Sequence, residues 1–191
     1  MTQKDIAEDI QQAVQTLRKG GIILYPTDTV WGIGCDATNP EAVQRIYSLK
    51  GSVNKKGMIV LLDTPANVGR YIRRVPEVAY DLMELTDKPL TLILDGAVGV
   101  AENLIPEEGS LAVRVPDHEF CRRLVGRLGR PLVSTSANFS GEATPTRFAE
   151  IVEGIKEGVD MVINPAFEGK PTRKASSIMM IKEDGEFKIL R

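Results

Sequence analysis

The sequence predicts an α/β fold, a single three-layer domain built on a twisted, mixed open sheet. Three observations predict it. Apolar runs of strand length recur through the 191 residues and are separated by segments of helical period. The first run, Ile22 to Tyr25, has the length and composition of a buried strand. The strands and helices alternate without a steady βαβ rhythm, which points to a mixed sheet. No internal repeat, low-complexity segment or long linker interrupts the chain, so residues 1–191 read as one domain.

Each element has its own signal. Ile6, Ile10, Ala13, Val14 and Leu17 mark one face of a first helix, which Gly20-Gly21 stops. The strand Ile22 to Tyr25 follows and breaks at Pro26 into a polar loop, Thr27-Asp28-Thr29, then a glycine-spaced segment, Gly32-Ile33-Gly34. A second helix starts at Thr38-Asn39-Pro40-Glu41, either with Asn39 as N-cap and Pro40 first in the helix or with Thr38 and Glu41 as a capping box. It carries Val43, Ile46, Tyr47 and Leu49 inward and ends at Lys50-Gly51. A basic turn, 52–57, leads to a strand at 58–62. Residues 64–86 read as two short helices, the second starting at Pro76. Strands follow at 90–94 and 111–115, separated by a loop rich in Gly, Glu and Pro. Pro116-Asp117 opens a helix bearing Phe120, Leu124 and Leu128. A short strand at 132–134 runs into a polar loop, 135–141, then a helix near 147–154 and a strand at 159–163. The end reads as a hairpin, 177–181 and 186–190, around Asp184-Gly185.

Composition narrows the function. The chain is 42% apolar and 26% charged with net charge -2, an ordinary globular balance that argues against a strongly basic nucleic-acid binder. Cys35 and Cys121 are the only cysteines and show no metal-ligand spacing, so a reducing, cytoplasmic setting is expected. His118 is the only histidine, which disfavours a histidine-based metal site or a Ser-His-Asp triad. No apolar run approaches the ~20 residues of a membrane span, and the polar start, Met1 to Ile6, reads as neither signal nor transit peptide.

Three polar segments offer chemistry. Thr27-Asp28-Thr29 supplies two hydroxyls and an acid at the end of a buried strand, as a ligand loop or as a plain turn. Lys50, Lys55 and Lys56 with Gly51 and Gly57 suit a polyphosphate, or a solvated turn at a helix C-terminus; they form no Walker A motif. Ser134-Thr-Ser-Ala-Asn-Phe-Ser-Gly141 offers hydroxyls and one amide, as a phosphate or ribose cradle or as a capped turn. Arg114 sits in an otherwise apolar strand, where a charge is paired or binds a ligand. His118 reads as a surface residue at a helix start, and Cys35 as a small buried residue rather than a nucleophile.

Together these residues resemble a known set. Tyr25-Pro-Thr-Asp-Thr-Val-Trp-Gly-Ile-Gly34 resembles the PTxT-[VI]-[YW]-G-[LI] segment of the YrdC-like family. Lys50 stands at the Lys of that family's K-x-R motif, and Ser136-Ala-Asn138 with Ser140-Gly141 and Pro145-Thr146 resembles its S-x-N motif. Leu111 to Pro116 and the terminal Ile189-Leu-Arg191 also match. The resemblance runs from about residue 10 to 191.

It implies threonylcarbamoyl-AMP synthesis, in which L-threonine, bicarbonate and ATP give the adenylate and pyrophosphate for tRNA threonylcarbamoyladenosine. It places Lys50, Ser136 and Asn138 at the chemistry. It places Thr27, Thr29, Arg114, Ser136 and Ser176 around L-threonine, and Lys50, Ser52, Lys56, Ser110, Asn138, Thr146 and Arg191 around ATP. Mg²⁺ is expected on the phosphates, with no protein side chain as ligand. A downstream tRNA threonylcarbamoyl transferase complex is the expected partner, with tRNA or double-stranded RNA as a further one and no membrane. Ser52 replaces the arginine of K-x-R, which removes a bidentate phosphate fork; Lys55 or Lys56 would compensate. The alternative implied is a paralogue acting as an RNA-binding or ribosome-assembly accessory protein.

Overall fold

The structure is a computed structural model that describes residues 3–51 and 58–191, with side chains from Ile6 onward. The basic turn, with Ser52, Lys55 and Lys56, lies outside the described residues. Nine described strands form a mixed sheet in the order β7-β1-β2-β6-β3-β5-β4-β8-β9. They are β1 (Ile23–Tyr25), β2 (Gly32–Gly34), β3 (Ile59–Leu61), β4 (Leu90–Asp95), β5 (Ser110–Arg114), β6 (Leu132–Ser136), β7 (Met161–Val162), β8 (Ser177–Ile181) and β9 (Phe187–Ile189). The pairs β1/β7, β3/β5 and β4/β8 are parallel and the other neighbours antiparallel.

Helices cover both faces. On one, α1 (Gln3–Arg18) and α4 (Glu119–Leu128) pack together over Ile23, Tyr25, Leu61 and Leu132. On the other, α2 (Pro40–Lys50) and α3 (Glu77–Leu85) enclose Ile22, Leu24, Val60, Leu92 and Val133. The unbroken run Ile22 to Tyr25 follows from this: alternate side chains enter opposite cores, so every position is apolar. The short helix α5 (Glu153–Glu157) adds Ile155 to the core beneath α2 and α3.

Local chemistry explains the boundaries. Asn39 caps α2, its side chain accepting from Glu41 N and Ala42 N, while Thr38 Oγ1 donates instead to Asp36; the Asn39 alternative is the one that forms. Gly51, at φ 62°, ends the helix in the left-handed conformation glycine favours. Of the two helices expected in 64–86, the first is a 3-10 turn, Pro65–Arg70, and the second is α3, beginning just after Pro76.

Two expectations need correction, and one segment left unassigned takes on structure. Gly32-Ile33-Gly34 is a strand, although glycine is a poor strand former. A Cβ on Gly34 would collide with Val133 O and approach Tyr25 Cε1 to 2.7 Å, so the missing side chain is what lets β2 pass between Tyr25 and β6. The polar segment 135–141 contributes Thr135 and Ser136 to β6, because Ser136 pairs with Gly32 and Thr135 with Ile33. The helix near 147–154 divides into a 3-10 turn, Phe148–Glu150, and α5, with Ile151 and Val152 extended between them. Ile151 and Ile155 lie in the core, while Val152 between them is exposed.

Candidate functional site

The helices on the α1/α4 side stop short of part of the sheet. Along β5, Leu111 and Val113 enter the core beneath α2 and α3, and Arg114 lies on the opposite face. Thr91 of β4 lies on that same face and is fully buried; its Oγ1 sits 2.7 Å from Ser176 Oγ. Between these strands and the Thr27–Gly32 segment is a cavity of about 200 Å³. Thr27, Thr29, Arg114, Ser136, Ser176 and Arg191 all line it, so residues spread over the whole sequence converge there.

The loop after β1 is fully bonded. Thr27 Oγ1 donates to Val30 O at 2.7 Å and accepts from Thr29 N at 3.0 Å. Its single proton is thereby used, so in the 2.9 Å contact between the two hydroxyls Thr29 is the donor. Arg114 Nη1 donates to Thr29 Oγ1 at 3.0 Å, and Nη2 makes a short ion pair with Asp28 Oδ1. Asp28 Oδ2 accepts from Asp117 N at 3.1 Å. Arg114 is 3% exposed and Asp28 9%, so the pair is shielded from water and its geometry is held on all sides. Arg114 Nε is buried without a partner.

A second knot joins α2 to the end of β6. Lys50 Nζ donates to Ser136 O at 2.5 Å and Asn138 O at 2.6 Å, and Ser140 N donates to Lys50 O at 2.8 Å. Burial pulls Lys50 down to about 8. Asn138 Nδ2 donates to Phe139 O and Glu142 O, which fixes its amide and leaves Oδ1 buried without a partner. Lys50 and Asn138 thus stand behind Ser136 rather than on the cavity wall. Ser110 is on the Arg114 face of β5, four residues or about 13 Å away along the strand. Thr146 is turned to Glu150, donating through both N and Oγ1. Ser52 and Lys56 lie outside the described residues.

Several lining residues escaped the sequence reading. Thr91 carried a usable signal, a lone hydroxyl in Leu90-Thr-Leu-Ile-Leu94. Thr144 carried none, and Trp31 stood in the matching motif without a role of its own; it is buried, its Nε1 donating to Glu168 at 2.9 Å. Asp28 was visible, but nothing in the sequence tied it to Arg114. His118 stands at the start of α4, half-buried beside Gly169 rather than fully exposed, and burial lowers its pKa, so it stands neutral near pH 7. Cys35 and Cys121 are buried with thiols pushed far up by desolvation, which leaves them inert as nucleophiles.

A larger cleft of about 600 Å³ adjoins the first cavity behind Asp28, bordered by Asp63, Lys88 and Asp117. Among the described residues no helix is long and apolar enough to cross a membrane.

Known proteins share this fold and part of this sequence. The Sua5/YciO/YrdC family model, described as telomere recombination, matches residues 15–191. The threonylcarbamoyl-AMP synthase of Idiomarina loihiensis is 35% identical over 170 residues, covering 86% of this chain and 91% of that one. The one from Homo sapiens is 32% identical over 189 residues, 96% of this chain and 67% of that one. The structure of P. abyssi Sua5 complexed with L-threonine has a TM-score of 0.86 and 27% identity over 95% of this chain, which spans 53% of that protein's length. E. coli YciO matches with a TM-score of 0.78 and 26% identity over 95% of this chain and 87% of its own. With its converging site, its sheet order and these relatives, the chain belongs to the Sua5/YciO/YrdC family.

Proposed function

We propose that this protein is an L-threonylcarbamoyladenylate synthase, a nucleotidyltransferase. Threonine's amine adds to bicarbonate with loss of water, giving a carbamate. A carbamate oxygen then attacks the α-phosphorus of ATP, forming the mixed anhydride as pyrophosphate leaves. The observation that carries this reading is the gathering of Arg114, Thr29, Ser136 and Ser176 around one small cavity. A guanidinium suits the threonine carboxylate, and the hydroxyls suit its polar groups. No activated nucleophile is needed, because holding two reactants in line is itself a large rate term.

In this reading Lys50 and Asn138 sit toward the nucleotide, and Arg191 closes the cavity from the C-terminal strands. Mg²⁺ would ride on the ATP phosphates: the described lining offers hydroxyls and arginines but no carboxylate, a donor set that suits a metal held by phosphate and water. Bound there, it would offset phosphate charge. We place the reaction in the cytoplasm, with the adenylate passed to a tRNA threonylcarbamoyl transferase complex and contact with tRNA or double-stranded RNA at that step.

Incubation with labelled threonine, bicarbonate, ATP and Mg²⁺ tests the proposal. Formation of threonylcarbamoyl-AMP with one pyrophosphate per adenylate is expected. No product above background, beside an active relative, would overturn it.

A further inference from the structure

Asp28 lies between the two cavities. Asp28 lines the 600 Å³ cleft, whereas its neighbours Thr27 and Thr29 and its partner Arg114 line the 200 Å³ cavity. One carboxylate oxygen pairs with Arg114 Nη2 and the other accepts from Asp117 N. The Asp28 backbone is itself fixed, since Asp28 O accepts from Thr172 N at 2.8 Å. Among the described residues Arg114 has no other charged partner within ion-pair distance. Without the Asp28 carboxylate, the guanidinium would border a large polar cleft with room to turn into it and hydrate.

We propose that Asp28 is a positioning residue that sets threonine affinity by holding Arg114 in the amino-acid cavity. The physical logic has two parts. The pair cancels the buried charge of an empty site, so Arg114 is not left unpaired in a dry wall. The same contact uses only one edge of the guanidinium. Of its five N–H donors, one goes to Asp28 and one to Thr29, while Nε has no partner, so donors remain for a carboxylate. Thr29 joins the assembly by accepting from Arg114 and donating its own hydroxyl hydrogen bond to Thr27. Asp28 therefore orders a chain of polar contacts that ends on the cavity wall without touching the substrate.

This inference rests on the threonine reading above, and its test separates the two. Michaelis constants for threonine and for ATP are measured for the wild type, Asp28→Ala, Asp28→Asn, Arg114→Ala and the double variant Asp28→Ala/Arg114→Ala. Asp28→Ala should raise the threonine constant by about 10- to 100-fold, the scale of a misplaced binding group, while the ATP constant holds. Asp28→Asn keeps an oxygen for Arg114 but loses the Asp117 contact, so it should fall between wild type and Asp28→Ala. In the Arg114→Ala background Asp28→Ala should add no further loss, because its effect runs through that arginine. Equal loss of threonine and ATP affinity, an unchanged threonine constant, or additive effects in the double variant would each overturn the positioning role. Should Asp28→Ala fail to fold, Asp28→Asn decides alone by the same split between the two constants. A wild type that consumes no threonine would instead overturn the parent reading, and this inference with it.

Discussion

At the residue scale, Lys50 shows how burial prepares a side chain. Its ammonium is enclosed and held by two carbonyls, and burial lowers its pKa to about 8 from 10.5. The sign follows directly. Between those values the unfolded chain binds more protons than the folded one, so Lys50 makes stability rise with pH across that window. If Lys50 serves the nucleotide as proposed, affinity moves the other way, since the cation is lost as pH climbs through about 8. ATP affinity should fall by up to about tenfold per pH unit above that point. Lys50→Arg does not titrate there, so it should flatten the profile. Calorimetric titration of ATP from neutral to alkaline pH measures both, and a wild-type affinity that holds constant would remove Lys50 from the phosphate side.

At the scale of elements, two substitutions test why the chain folds as it does. Asn39→Ala deletes the cap of α2 and should cost about 1 kcal/mol in denaturant unfolding. Gly34→Ala should cost about 1–3 kcal/mol or more, since the added methyl meets Val133 O and the Tyr25 ring. Cost near zero at Gly34 would mean that β2 does not run against β6 as described. These two positions also show what the sequence could reveal. Asn39-Pro40 is a local signal, read from four residues, and α2 starts there. Gly34 has a non-local cause, a ring nine residues earlier and a carbonyl ninety-nine residues later, so β2 read only as a glycine-spaced segment. Residues 147–157 differ from the expectation despite apolar residues at helical spacing: the chain is extended at Ile151 and Val152, which leaves Val152 exposed between the two core isoleucines. In the site, Arg114 and Thr91 are polar residues in apolar strands and carry a visible signal. The Arg114–Asp28 pair spans 86 residues and emerges only from the fold.

At the scale of the whole molecule, the sheet gathers the site. Its mixed order sets β6, β3, β5 and β4 side by side, so hydroxyls from the β1–β2 connection, the arginine of β5 and the serine before β8 meet across one face. Two cavities result, one small and rich in hydroxyls, the other larger and edged by acids, with the Asp28–Arg114 pair between them. Under the proposed function, threonine occupies the smaller one. A crystal structure of the protein soaked with L-threonine and ATP tests it most directly. The threonine carboxylate should lie on Arg114, between Thr29 and Ser176, with the α-phosphate reaching toward Ser136. Threonine in the larger cleft, or a carboxylate that does not touch Arg114, would contradict it.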